Sequence, residues 1–170
     1  MGDETKNRID VILNSIQLGI VLVTAVWAIY RFSKENPLRR RIEFGMDATF
    51  FGPQQNEYLA SFTITANNKG NVEHRFSEIR LRILGIKADE ALTEFKKYPP
   101  MTHFPEQIMK DVNIVPEKYG YYFVRPGVNQ SFNYVTHISE KIRFIIVRAT
   151  FKYSDTNDLH TAENVFEVKA

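Results

Sequence analysis

Hydrophobic residues follow two different patterns along this chain, and the pattern changes near residue 41. From Ile9 to Phe32 they form one long run, and between Leu18 and Tyr30 the only polar side chain is that of Thr24. The Thr24 hydroxyl can bond back to a carbonyl of its own helix. A helix over this run reaches roughly 36 Å, enough to cross a hydrocarbon core of about 30 Å. The sequence therefore predicts a polar tail over 1–8, a transmembrane helix over 9–32 and a basic juxtamembrane linker over 33–41.

After residue 41 the apolar positions alternate with polar ones, as they do in strands buried on one face. Ile42, Phe44 and Met46 share one face of the first such segment, whereas Glu43 and Asp47 share the other. The alternation recurs between turn residues and predicts seven strands, over 41–51, 58–66, 75–86, 119–124, 131–138, 142–153 and 161–168. We therefore expect a mainly β domain over 42–170, built as an antiparallel β-sandwich, with a small closed barrel as the alternative.

Residues 87–117 interrupt this rhythm and form the predicted insertion. Helix-forming residues over 88–97 favour a short helix, and Pro105 can open a second helical turn that ends near Asn113. The strand over 142–153 carries Phe144 and Ile146 on the face opposite its main apolar row. We expect this strand to be central and partly covered by the insertion, which is a common place for binding in a small domain.

Two segments resemble bacterial adhesion-type immunoglobulin-like modules. SFTITANNKGNVEHRFSEIRLRIL over 61–84 resembles their second and third strands, which an Asn-x-Gly-Asn loop joins, and VRPGVNQSFNYV over 124–135 looks like the Pro-Gly turn that opens a later strand. The resemblance implies an immunoglobulin-like sandwich of about seven strands. It also implies binding of proteins or glycans, although a fold alone does not carry a function.

Charge is distributed unevenly between the two parts of the chain. The formal net charge is +2, but residues 1–41 hold 7 Lys and Arg against 4 Asp and Glu, which leaves 15 against 16 for the rest. A nearly neutral domain argues against a nucleic-acid partner, which needs clustered positive charge. The chain has no cysteine, which excludes disulfides and thiolate zinc sites and fits a reducing compartment.

The charges that flank the apolar run predict its orientation. Lys6 and Arg8 precede it, whereas five Lys and Arg residues follow it up to position 41. Positive charge stays on the cytoplasmic side, so we expect the N-terminus outside and the β domain in the cytoplasm, at the inner membrane of a bacterial-type cell. A cleaved signal peptide is the alternative, but Asp3 and Glu4 offset the basic residues of its leader. Arg39, Arg40 and Arg41 either contact lipid headgroups or only enforce this topology.

One stripe of the predicted helix is polar or small. Its members recur at helical spacing and are Asp10, Asn14, Gln17, Val21, Thr24 and Ala28. Such a stripe suits self-association, because hydrogen bonds and close packing drive helix contact in lipid. In the alternative, Asp10 and Asn14 lie among the headgroups and only Gln17 is immersed.

No pattern of catalytic or metal-binding residues emerges from the sequence. The four histidines are scattered and are predicted to lie at the surface, and no phosphate-binding glycine loop or nucleophile motif is present. We therefore expect no enzyme, no cofactor and no metal site. The most suggestive group lies in and after the insertion, where it either lines a binding surface or fills the space between insertion and sheet; its members are Tyr98, His103, Phe104, Tyr119, Tyr121 and Arg125.

Two functions fit these features. The first is a membrane-anchored module that binds a protein partner at the inner face of the membrane. The second is a membrane effector whose β domain senses a small ligand, for example a cyclic nucleotide in antiphage signalling, and acts through helix oligomerisation. A concave basic pocket would favour the sensor, whereas a flat, exposed aromatic surface would favour the interaction module.

Overall fold

The computed structural model describes residues 3–35, 40–95 and 101–169. The chain divides into two compact units, one ending at Arg39 and the other beginning at Arg40. The first unit is a helix and the second is a β domain.

The first unit is the α-helix α1 (Asp3–Glu35), which starts six residues earlier than the predicted span. Its segment Val11–Lys34 is long and apolar enough to cross a membrane, and none of that segment is buried within the structure. The hydroxyls of Ser15 and Thr24 donate to the carbonyls four residues earlier, each at 2.8 Å. Thr24 therefore satisfies its hydroxyl within the helix, as its position in an apolar run predicted.

The described residues of the second unit contain ten strands and one 3₁₀ helix. The strands are β1 (Ile42–Gln54), β2 (Glu57–Asn68), β3 (His74–Lys87), β4 (Glu94–Phe95), β5 (Met101–Thr102), β6 (Glu106–Asn113), β7 (Tyr122–Val124), β8 (Asn129–Ser139), β9 (Ile142–Tyr153) and β10 (Leu159–Glu167); the 3₁₀ helix is Glu117–Tyr119. All seven predicted strands are present.

These strands form two main antiparallel sheets. The smaller sheet has the order β1-β2-β8, and the larger has the order β10-β9-β3-β6, with β7 paired to the beginning of β3. The strands β4 and β5 form a separate two-residue pair. Among the described residues the two sheets are not joined into a closed barrel, so the sandwich prediction is confirmed and the barrel alternative is wrong.

The core lies between the inner faces of the two sheets. Phe62 and Ile64 of β2 face Phe76 of β3 and Phe151 of β9, and all four are fully buried. The ring of Phe44 stacks on that of Phe151 with centroids 3.8 Å apart. Alternation along β2 from Ala60 and along β9 from Ile145 places every second residue in the interior, and this alternation is the pattern visible in the sequence.

The long strands β3 and β9 give the domain two distinct ends. Arg40, the beginning of β3 and the end of β9 lie at one end, which we call the Arg40 end. The end of β3 and the beginning of β9 lie at the other, which we call the Ile86 end. Ten residues of β3 separate Phe76 from Ile86, a distance of roughly 33 Å at about 3.3 Å per residue.

The predicted helices of the insertion are wrong. Residues 88–93 form turns and irregular structure, and β4 follows them; the rest of the predicted helix, over 96–97, lies outside the described residues. Residues 106–113 form β6 instead of a helical turn, because they hydrogen-bond to the open edge of β3. Pairing at a vacant sheet edge outweighs the helix propensity of Glu106, Met109 and Lys110.

Candidate functional site

The structure divides the predicted binding residues between the two ends of the domain. Tyr119, Tyr121 and Arg125 flank β7, which pairs with β3 at the Arg40 end. His103 and Phe104 follow β5, and Phe104 lines a cleft at the Ile86 end. Tyr98 lies outside the described residues. The predicted group is therefore two separate surfaces.

At the Arg40 end, exposed aromatic rings lie beneath cationic side chains. Tyr119, Tyr121 and Phe123 are 56%, 42% and 41% exposed. The cationic groups of Lys118, Arg75 and Arg125 lie 4.7, 5.2 and 5.6 Å from the centroids of these three rings, in that order. Cation–π contacts of this kind favour a fixed, partly desolvated arrangement. We call these six residues the aromatic patch.

Local strand geometry explains which rings face outward. Arg75 pairs with Phe123 across β3 and β7, whereas the neighbouring pair of Phe76 and Tyr122 faces the core. The Tyr122 ring packs on Phe132 with centroids 4.8 Å apart. The Tyr122 ring therefore packs inward, while the residues on either side of it point to solvent.

A single carboxylate holds two cations of the aromatic patch. Glu73 accepts a hydrogen bond of 2.8 Å from Nε of Arg75 and lies 3.9 Å from Nε of Arg125. The hydrogen bond to Glu73 raises the pKa of the Arg75 guanidinium above its usual value. Glu73 thus positions both guanidinium groups beside the rings.

The second surface is an apolar cleft of about 390 Å³ on the outer face of the larger sheet, at the Ile86 end. It is lined by Ile86, Leu92, Met101, Thr102, Phe104, Phe144, Ile146 and Val165. Ile86 pairs with Phe144 and lies outside the main core, yet only 2% of it is exposed. The insertion therefore covers part of the central strand β9, as the two-sided apolar pattern of that strand predicted.

The three predicted headgroup arginines differ in their surroundings. The Arg40 guanidinium donates to both carboxylate oxygens of Asp155, at 2.9 and 2.8 Å, and to Asp158 at 3.0 Å. It also lies 4.1 Å from the centroid of the Tyr153 ring. Two carboxylates therefore compensate its charge within the domain. Arg41 is exposed, and Arg39 lies outside the described residues.

Two histidines flank Tyr153 beneath Arg40. The Tyr153 hydroxyl lies 2.9 Å from Nδ1 of His160, and the His74 ring meets the Tyr153 ring edge-on with centroids 5.8 Å apart. Burial raises the pKa of Tyr153 to about 12 and lowers the pKa of His74. His74 is buried with Nε2 unpaired, so its predicted surface position is wrong. The local signal for it was its place in the alternation of β3, next to Phe76.

Within the described ranges, no three His, Asp or Glu side chains are grouped so that they could hold a metal ion. The residues that sequence reasoning missed are Leu92, Met101 and Val165 of the apolar cleft. Val165 belongs to the apolar pattern of the last strand, whereas Leu92 and Met101 stand in the irregular insertion, so their grouping appears only once the insertion lies on the sheet.

Comparisons with known proteins leave the family open. No family model and no curated protein matches the chain. An X-ray structure of a structural genomics target is 15% identical, with a TM-score of 0.44, over 74% of this chain and 83% of that one. A protein from Archaeoglobus fulgidus is 9% identical, with a TM-score of 0.37, over 76% of this chain and 99% of that one. A FixG-related protein from Vibrio parahaemolyticus is 13% identical, with a TM-score of 0.34, over 75% and 97%.

Proposed function

We propose that this protein is a single-pass membrane protein whose β-sandwich is a protein-interaction module at the inner face of the cell membrane. In this proposal the N-terminus lies outside the cell and the domain in the cytoplasm. The apolar helix supports the anchor, because none of Val11–Lys34 is buried within the described structure. Five Lys and Arg residues after the run, against two before it, support the orientation.

The aromatic patch is the observation that carries the interaction function. Tyr and Arg are the residue types that dominate binding energy at protein interfaces, since they offer large, stiff contact areas and directional donors. Here three exposed rings lie within five residues of one another and are already held by cations. Much of the ordering cost of binding is therefore met before a partner arrives.

Sensing of a cyclic nucleotide, the second function considered, has weaker support. Among the described residues that line the apolar cleft, none is Lys or Arg, and Thr102 is the only polar one. These residues offer a phosphate few of the donors that anion binding needs. The apolar cleft therefore favours apolar ligands over a nucleotide.

Membrane extraction and cysteine labelling test the anchor and its orientation. We expect the full chain to stay in the membrane pellet after alkaline carbonate washing. The chain has no cysteine, so single cysteines report topology cleanly. Cysteine at Ser139, on the β domain, should resist an impermeant maleimide in intact cells and react after lysis. Labelling of intact cells at Ser139 would place the domain outside.

Photo-crosslinking tests the aromatic patch. A photoreactive residue at Tyr121 of the full chain should give a discrete crosslinked product in native membranes, and Arg125→Glu should remove it. The matched control is the same photoreactive residue at Leu159, an exposed position on β10. Equal products from positions 121 and 159, or a product unaffected by Arg125→Glu, would contradict a specific interface.

A further inference from the structure

Strand β8 has an open edge that lacks the usual protection. It pairs with β2 on one side, and no third strand among the described residues pairs with the other. Its sequence NQSFNYVTHIS has no Lys, Arg, Asp, Glu or Pro, and its register with β2 runs from Asn129 to Ser139 without a bulge. Such an edge presents a row of unpaired N–H and C=O groups to other strands.

The other long edge strands, β1, β10 and β6, carry the protection that β8 lacks. β1 has Glu43, Asp47 and Pro53, and it lies beside β10, whose Asn164 donates to the Met46 carbonyl at 3.5 Å. β10 carries Glu163 and Glu167. β6 carries three charged residues, two register shifts against β3 and a positive φ at Asp111. Charges, proline and bulges are the devices by which sheets prevent edge pairing.

We propose that two copies of this chain pair through β8 in antiparallel fashion, with Val135 opposite Val135 on a two-fold axis. The two small sheets then form one six-stranded sheet. This inference goes beyond the proposed function, since it concerns β8 and not the aromatic patch, and either can fail while the other holds.

A second copy fits this edge because the strand is self-complementary. With Val135 on the axis, Asn133 lies opposite His137 and Ser131 opposite Ser139 on the outer face. Phe132 lies opposite Ile138 on the inner face. Like charges placed opposite each other would oppose pairing, and none meet in this register. On the outer face, polar residues lie opposite polar residues. Val135 is 53% exposed in the single chain, and the pairing covers it with its own copy.

Cysteine crosslinking in native membranes tests the proposal. Val135→Cys in the full chain should give a crosslinked dimer with a short thiol–thiol reagent, because opposed Cβ atoms lie about 4.5–5.5 Å apart. The matched control is Val165→Cys on the larger sheet, a valine that is 50% exposed. It should stay monomeric.

A mixed experiment tests the register. Differently tagged chains carrying Asn133→Cys and His137→Cys should crosslink to each other. Asn133→Cys alone should not, because its own copy lies four residues away, roughly 13 Å along the strand. Self-crosslinking of Asn133→Cys as strong as that of the mixed pair would overturn the register. Crosslinking of Val165→Cys as strong as that of Val135→Cys would overturn the dimer.

Two further variants separate β8 from the helix and from other occupants. Val135→Lys places two ammonium groups on the axis, and we expect loss of the dimer in mild detergent with an unchanged β-sheet circular dichroism spectrum. Gln17→Leu should leave the Val135→Cys crosslink intact. Loss of that crosslink in Gln17→Leu would assign the dimer to the helix and overturn the proposal. A crosslink from position 135 to a different protein would show that a foreign strand occupies the edge, which also overturns it.

Discussion

The two ends of the sandwich are closed by different chemistry. At the Arg40 end, Tyr153 is buried beneath a guanidinium, two carboxylates and two imidazoles, which together satisfy most of the polar groups there. At the Ile86 end, the same strands β3 and β9 carry Ile86, Phe144 and Ile146, apolar residues that the insertion covers only in part. The polar groups at the Arg40 end bond to each other, whereas the Ile86 end leaves apolar surface in contact with water.

From this difference we expect one end of the domain to contribute most to its free energy of unfolding and the other to present the accessible apolar surface. Polar groups at the Arg40 end satisfy each other in a fixed geometry, so changes there should alter the free energy of unfolding. The residues of the apolar cleft remain in contact with water in the folded state, so changes there should alter surface properties more than the free energy of unfolding.

Removal of the Tyr153 side chain should have the largest effect. Tyr153 is fully buried and supports both Arg40 and His160. We expect Tyr153→Ala to lower the free energy of unfolding by about 3–5 kcal/mol, as truncations of buried aromatics do. Urea unfolding followed by circular dichroism in detergent measures it. Phe144→Ala, at the half-buried far end, is the comparison, and an equal loss there would break the contrast.

Replacement of Arg40 should have an intermediate effect. Arg40→Leu removes a stacked cation and its bonds to two exposed aspartates, for which we expect a loss of about 1 kcal/mol. The same urea titration measures this loss. Arg41→Leu removes an exposed neighbour of the same charge and should change little. Equal losses from both variants would mean that the stack on Tyr153 contributes nothing measurable.

Acid should weaken the Arg40 end through His74. Burial lowers the pKa of His74 below 6.5, so the folded domain binds that proton less tightly than the unfolded chain. The contribution of neutral His74 to the free energy of unfolding is fully present above the pKa of histidine in the unfolded chain, about 6.5. It is lost as the pH falls below that value toward the lower pKa of His74 in the folded domain. We expect the melting temperature to fall more steeply between about pH 7 and 5 in the natural chain than in His74→Phe.

The control for this pH dependence is an exposed histidine. His137→Gln should keep the pH slope of the natural chain, since His137 lies on the solvent face of β8. A slope that is identical in the natural chain and in His74→Phe would show that His74 does not carry the acid sensitivity.

Leu92→Ser should have the smallest effect on stability. Leu92 is exposed at the rim of the apolar cleft, so we expect a change within about 0.5 kcal/mol. Binding of a hydrophobic fluorescent dye should nevertheless decrease, because the cleft loses part of its apolar lining. Leu159→Ser, an exposed leucine outside the cleft, should leave dye binding unchanged. Unchanged dye binding in Leu92→Ser would show that the cleft is closed in solution.

Local patterns were sufficient to predict the strands but not what covers them. The alternation of β2, β3 and β9 gave their core faces directly, since one face meets the core and the other meets water. β6 was missed because Ile108, Met109 and Val112 also fit one face of a helix, and the vacant edge of β3 decided the outcome. Pairing with a strand that is distant in sequence leaves no recognisable pattern within the eight residues of β6 itself.

The candidate surfaces show the same limit. The aromatic run over 119–123 was visible in the sequence, but which rings face outward depends on the register of β7 against β3. The separation of Phe104 from Tyr119 depends on the path of the whole insertion. By contrast, the lack of charged residues over 126–139 was visible in the sequence. It gained meaning only once β8 proved to be an edge strand.

The order of strands in the smaller sheet also has a consequence for biosynthesis. β2 ends at Asn68, but its second neighbour β8 is complete only at Ser139. At about 5–20 residues per second, a ribosome needs roughly 4–14 s to cover that distance. During this interval the nascent β1–β2 hairpin holds Phe62 and Ile64 without their final partners, so chaperone dependence should concentrate in this window.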